Sequence, residues 1–137
     1  MKIYSIVAAV ALTLLAVLPA AAHPRDDPPP TFAGLVSATT CVAGPATGQT
    51  ARYTLRWEPA SDNVTRPKQI VYDVYQASSP GAEDFSAPTY TSRHGATSFV
   101  TPPLAADKPV YFVVRARDKA GNEDSNSVER QGQNLCV

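Results

Sequence analysis

Hydrophobic and polar residues alternate along short stretches of the chain, most clearly from position 110 to position 118. Here the apolar residues at even positions alternate with Tyr111, Val113, Arg115 and Arg117. Side chains of a β-strand point to opposite faces in turn, so this pattern predicts a strand that buries one face. The polar, glycine-containing run that follows predicts a turn.

Further stretches of the same kind are separated by turn residues and prolines. The predicted strands cover residues 31–40, 51–58, 69–77, 88–92, 97–101, 110–118 and 125–131. No segment between positions 31 and 137 shows helical periodicity. About seven short antiparallel strands predict an all-β, immunoglobulin-like sandwich.

The first 22 residues have the pattern of a secretory signal peptide. Lys2 precedes an apolar run from Ile3 to Leu18, and small residues follow up to Ala22. We expect cleavage after Ala22 and a secreted or periplasmic protein without a membrane anchor. A retained anchor helix is the alternative. Residues 23–30 then form a proline-rich linker, and residues 31–137 form one domain.

Charge and cysteine content limit the classes of function that the chain can have. The 12 basic and 12 acidic residues balance, so composition offers no electrostatic reason to bind nucleic acid or an anionic membrane. Cys41 and Cys136 are the two cysteines, and in an exported chain such a pair predicts a disulfide. A redox or metal-binding pair is the alternative.

Three segments resemble the fibronectin type III family, especially its modules in secreted bacterial proteins. They are residues 28–32 (PPPTF), 55–62 (LRWEPASD) and 111–118 (YFVVRARD), the last with Gly121 and Asn122. The resemblance extends from Pro28 to about Gly132. One position departs from it, because Val110 stands where the family usually has an inward-facing tyrosine. The resemblance implies a non-enzymatic binding or adhesion module in which strands 69–77 and 110–118 are neighbours.

Those neighbouring strands would share a solvent-side face of mixed chemistry. Its residues are Val71, Asp73, Tyr75, Tyr111, Val113 and Arg115. Tyrosine, valine and arginine together are typical of a partner-binding surface, so we expect a protein partner there, with a polysaccharide as the alternative. Asp73 is expected to pair with one of the arginines. Ordinary cross-strand packing is the alternative explanation of the pattern.

Two metal sites can be considered. His23 would become the mature N-terminus, and its amine and imidazole together with His94 could bind copper for oxidative chemistry. The alternative is a histidine on a tether. The oxygen ligands of Asp118, Asn122, Glu123 and Asp124, with Asp62, could bind calcium, or they could simply form polar turns. No cofactor is expected.

Catalysis by a nucleophilic triad is not expected either. His23 and His94 are the only histidines, and no strand-turn-helix elbow or phosphate-binding glycine loop accompanies them. A structural spacer or a carbohydrate-binding accessory domain remains an alternative to the binding module.

Overall fold

Short β-strands form nearly all the regular structure of the computed structural model, which describes residues 28–136. The strands are β1 (Leu35–Thr40), β2 (Thr50–Ala51), β3 (Thr54–Trp57), β4 (Val71–Ala77), β5 (Tyr90–Thr91), β6 (Ser98–Val100), β7 (Leu104–Ala105), β8 (Tyr111–Arg117), β9 (Glu129–Gln131) and β10 (Gln133–Asn134). A single 3-10 turn, Pro67–Gln69, precedes β4. The predicted signal peptide and the linker up to residue 27 lie outside the described residues.

Two four-stranded sheets pack face to face. The first has the order β10-β1-β3-β6 and the second β5-β4-β8-β9, while β2 and β7 form a separate pair at one end. Neighbouring strands are antiparallel except β1 and β10, which run parallel. The predicted all-β, immunoglobulin-like sandwich is confirmed, and so is the pairing of β4 with β8.

The core lies between the sheets and follows the predicted alternation. Its large members are buried: Leu35, Tyr53, Leu55, Trp57, Ile70, Tyr72, Val74, Val110, Phe112 and Val114. Tyr72 is central, because its ring packs 5.1 Å from Trp57 and 5.2 Å from Phe32, measured between ring centroids. Its hydroxyl accepts the Ala60 N–H, which satisfies the polar end of a buried side chain.

The predicted strand 51–58 is interrupted, and Thr101 explains why. The Tyr53 N–H donates to the Thr101 hydroxyl, and the Thr101 N–H donates to the Tyr53 carbonyl. This side-chain bond replaces a ladder bond, so β2 pairs with β7 while β3 pairs with β1 and β6. β7 lies between the predicted strands 97–101 and 110–118, where the sequence pattern predicted no strand.

The two ends of the domain also differ from the sequence prediction. Thr31 pairs with Ser61 as an isolated bridge, and the first strand begins only at Leu35. Near the C-terminus the chain crosses from β9 in one sheet to β10 in the other. Gly132 permits the crossing, because a Cβ there would lie 2.5 Å from the Tyr53 ring.

The predicted disulfide between Cys41 and Cys136 is present. It joins residues 95 positions apart, directly after the parallel strands β1 and β10. The Asn134 side chain reinforces the junction, accepting the Val42 N–H and donating to the Val42 carbonyl at 2.9 Å each. The segment after β1 is therefore tied to the C-terminal end of the domain, at one end of the first sheet.

Candidate functional site

The predicted partner face exists as a set of neighbouring side chains but is largely hidden from solvent. In the β4–β8 register Asp73 lies opposite Arg115 and Tyr75 opposite Val113. Asp73, Tyr75 and Val113 are only 1–3% exposed, whereas Val71, Tyr111 and Arg115 are half-buried. The expectation that all six residues face solvent is therefore wrong for three of them.

The segment between β4 and β5 covers this face. Phe85 of that segment lies edge-on to the Tyr75 ring, with 5.0 Å between centroids. The Arg115 guanidinium carbon lies 3.7 Å from the centroid of the Phe85 ring, a short cation–π contact. The Gly81 N–H donates to the Glu129 carboxylate at 2.6 Å, which fixes the other side of the segment to β9. We call residues 78–89 the covering segment.

Beneath the covering segment, charged and polar groups form hydrogen bonds and ion pairs with one another. Asp73 accepts hydrogen bonds from Arg117 Nε and from the Thr91 hydroxyl, each at 2.6 Å. The predicted pairing of Asp73 with one of the arginines is thus confirmed, and the partner is Arg117. The hydrogen bond to Asp73 raises the pKa of Arg117 further, so the guanidinium stays charged.

A second part of the network joins Tyr75, Glu123 and Arg115. The Tyr75 hydroxyl donates to Glu123 at 2.6 Å, and Arg115 forms an ion pair with Glu123 at 3.5 Å. Burial raises the pKa of the Tyr75 hydroxyl and also that of the Glu123 carboxyl. For Glu123, burial outweighs the opposing effects of the Tyr75 hydrogen bond and the Arg115 charge.

The predicted calcium ligands are engaged in local turns. Asp118 accepts the N–H and the side-chain amide of Asn122, both at 2.8 Å. Asp124 accepts the Ala116 N–H, and Asp62 accepts the N–H groups of Val64 and Thr65. Among residues 28–136, no group of three or more histidine, cysteine or acidic side chains is placed to hold a metal ion.

The predicted copper ligands can be placed only in part. His94 is exposed in the turn after β5. His23 lies outside the described residues, so the structure does not describe the pair. In the described part of the chain, no helix is long and apolar enough to span a bilayer.

Three connecting segments meet at one end of the sandwich. They are residues 58–70, 92–97 and 118–128, and we call this the loop end. The Lys119 N–H donates to the Thr65 hydroxyl at 3.2 Å, and the Gly95 N–H donates to the Ile70 carbonyl at 2.7 Å. Gly95 has a φ of 67°, and a Cβ there would lie 2.9 Å from Lys68 Cα, so glycine allows the close approach.

A groove of about 460 Å³ runs between these segments. Its lining includes Gln69, Thr91, His94, Arg117 and Lys119. A groove of about 510 Å³ lies at the opposite end beside the disulfide. That second groove is lined mainly by threonine and small apolar residues, and Arg52 is its one charged lining residue. The loop end therefore combines concave shape with several polar and charged groups.

Sequence reasoning did not identify the basic residues of the loop end. Lys68, Arg93 and Lys119 are separated by 25 residues or more along the chain and form no basic run. They are brought together by the order of β4, β5 and β8 within the second sheet. To predict that these residues lie on one surface, the strand pairing and the lengths of the connecting segments would have to be known.

Comparison with known proteins adds no family assignment. The chain matches no protein-family model, and it matches no curated protein.

Proposed function

We propose that this chain is an exported, non-enzymatic binding module of the fibronectin type III type that works outside the cytoplasm. The resemblance of three sequence segments to that family supports the proposal. The packing of strands β1, β3 and β6 against β5, β4, β8 and β9 agrees with it. The Cys41–Cys136 disulfide supports export, because such bonds form and persist in oxidising compartments.

The loop end is the observation that carries the proposal. Its three segments are held by backbone and side-chain hydrogen bonds on a rigid two-sheet scaffold, around a groove with polar and charged lining. Binding residues are commonly found on such segments, positioned by a rigid framework. We assign binding to this end rather than to the β4–β8 face, which the covering segment occupies.

The carboxylates of the second sheet and its turns support a non-enzymatic role. Asp73, Glu123, Asp118 and Asp124 each accept hydrogen bonds from neighbouring side chains or backbone N–H groups. These bonds join β4 to β8 and hold the turn after β8. The acidic groups thus have structural roles in holding the scaffold.

The test is retention of native ligands by immobilised protein that carries a bulky label. Val64 at the loop end is 58% exposed, and Val100 at the opposite end of β6 is 53% exposed. Val64→Cys and Val100→Cys, each coupled to polyethylene glycol, form a matched pair. Envelope and culture medium of the native host are separated into a protein pool and a polysaccharide pool and passed over each form.

We expect the unlabelled protein and the labelled Val100→Cys form to retain a component of at least one pool. The labelled Val64→Cys form should lose it, because the polymer occupies the loop end. Retention of nothing by the unlabelled protein would refute the binding function. Equal retention by both labelled forms would place the contact elsewhere.

A further inference from the structure

Folding separates the charges of this neutral chain. Ten acidic and ten basic residues lie between positions 28 and 136, yet only three acidic residues are exposed, compared with eight basic ones. The exposed acidic residues are Glu58, Asp84 and Asp107. The fully exposed charged residues of the described chain are therefore mainly basic, although its composition is balanced.

The loop end shows this separation most strongly. Its exposed basic side chains are Arg66, Lys68, Arg93, His94 and Lys119. None of them forms an ion pair among the described residues, in which the two ion pairs involve Arg115 and Arg117. Several basic groups thus point outward from segments that touch one another.

The acidic residues of the same segments are engaged in local hydrogen bonds, and one of them, Asp118, also lines the groove. Asp118 and Asp124 are buried and cap the turn after β8, and Asp62 caps the turn that contains Val64. Glu123 is held under the covering segment by Tyr75 and Arg115. Glu58, at the end of β3, is the exposed acidic residue of these segments. The exposed charged residues around the groove are therefore mainly basic, and the buried Asp118 is its acidic lining residue.

We propose that the loop end binds an acidic polysaccharide, whose carboxylate or sulfate groups contact His94 and Lys119 in the groove and Lys68 beside it, next to the lining residue Gln69. This inference rests on the proposed binding function and names its ligand class. A groove that opens to solvent accommodates an extended chain, and lysine and arginine donate well to compact anionic groups.

Two other anionic ligands fit less well. Single-stranded nucleic acid is usually bound by aromatic side chains that stack on its bases, and the lining of this groove contains none. Peripheral membrane binding combines a basic cluster with a substantial apolar area. Val64 is the one exposed large hydrophobic residue on the three loop-end segments as described.

The experiment measures retention on immobilised heparin and on immobilised polyuronate as the salt concentration rises. Lys68→Gln/Lys119→Gln removes one charge from the groove lining, at Lys119, and one from Lys68 beside it. Arg52→Gln/Lys108→Gln removes two charges from exposed residues at the opposite end of the sandwich and is the matched control. Fluorescence of Trp57 and the melting temperature verify that each variant is folded.

We expect the wild type and the control to bind at least one of the two glycans with similar affinity. The groove variant should bind about tenfold more weakly. The slope of log affinity against log salt concentration should fall by about one for each charge removed. No glycan retention at low salt, or an equal loss in both variants, would overturn the proposal.

Duplex DNA and phosphatidylserine vesicles are measured under the same conditions. Tighter binding to either one than to both glycans would also overturn the proposal. If the native protein pool is retained in the labelling experiment but neither glycan binds, the binding function stands and this ligand class is wrong. If neither pool nor glycan binds, both proposals fail.

Discussion

The outer faces of the two sheets are built from similar alternating strands but end in opposite environments. The first sheet presents Ser37, Thr39, Thr54, Arg56, Ser98 and Val100 on its outer side, all exposed or half-exposed. The second sheet presents Asp73, Tyr75 and Val113, which are buried, and Val71, Tyr111 and Arg115, which are half-buried. Strand position decided which face each side chain lies on, whereas the length of a connecting segment decided whether water reaches it.

The two sheets are also secured differently. The first sheet is tied at one end by the disulfide that follows β1 and β10. The second is secured by the covering segment and by the hydrogen bonds of Asp73, Tyr75 and Glu123 beneath it. The comparison yields a testable rule. Side-chain substitutions on the outer face should be tolerated in the first sheet and costly in the second.

The largest effect on stability should come from removing the disulfide that secures the first sheet. Cys41→Ser/Cys136→Ser removes a bond that closes a loop of 95 residues. We expect the free energy of unfolding to fall by about 2–5 kcal/mol, because the unfolded chain regains conformational freedom. Urea unfolding followed by Trp57 fluorescence measures it. A loss below about 1 kcal/mol would mean that the strand pairing of β1 and β10 holds the ends without the disulfide.

The next effect compares an arginine on each outer face. Arg117→Met leaves the Asp73 carboxylate buried, with the Thr91 hydroxyl as its remaining side-chain donor. We expect the free energy of unfolding to fall by about 3 kcal/mol, since an uncompensated buried charge is costly. Arg56→Met on the exposed face should change stability by less than about 0.5 kcal/mol. Asp73→Asn/Arg117→Met should recover part of the loss. Equal effects of both single substitutions would remove the distinction between the faces.

Local alternation was sufficient to predict the sandwich and its core, whereas the neighbouring positions of β4 and β8 were expected from the resemblance of three segments to a known family. Residues such as Leu55, Tyr72 and Phe112 are buried because their positions have the parity of the inner face. The break at Tyr53 could not be predicted in this way, because it depends on Thr101, 48 residues further along the chain. Short-range patterns contain no information about such a partner.

The candidate site was harder to predict for the same reason. Polar outer positions were interpreted as exposed, but Asp73 and Tyr75 are covered by a segment whose path no periodicity determines. The basic loop end was missed because whole-chain charge conceals the separation that folding produces. Arg66 and Lys119 contribute to one surface only because Thr65 bonds to the Lys119 N–H.

A smaller effect should follow from loosening the covering segment itself. Phe85→Ala removes the edge contact to Tyr75 and the cation–π contact to Arg115. We expect a loss of about 1–2 kcal/mol and faster proteolysis within residues 78–89. Phe85→Leu keeps apolar bulk without the aromatic ring, and should lie between the wild type and Phe85→Ala. If proteolysis of this segment is unchanged in Phe85→Ala, the bond from Gly81 to Glu129 is enough to hold it.

The smallest effect on stability should come from Glu83, a partly buried carboxyl group of the covering segment. Burial raises the pKa of Glu83, with a further contribution from the nearby carboxylate of Glu129. One Glu83 oxygen is buried without a hydrogen-bond partner among the described residues. The pKa of Glu83 is higher in the folded chain than in the unfolded chain. The protonated carboxyl group therefore contributes to the free energy of unfolding, and this contribution is fully present below the ordinary glutamate pKa of about 4.3. That contribution is lost as pH rises through the raised value.

Glu83→Gln should therefore be more stable than the wild type at pH 7 and equal to it near pH 4, by urea unfolding at both values. The neighbouring Asp84 is the control with the opposite sign. Hydrogen bonds from Ser86 lower the pKa of Asp84, so its contribution is present at neutral pH and lost in acid. Asp84→Asn should be no more stable than the wild type at pH 7. A Glu83→Gln variant that is less stable at pH 7 would show that the ionised carboxylate helps to hold the covering segment in place, and that both outer faces tolerate charge alike.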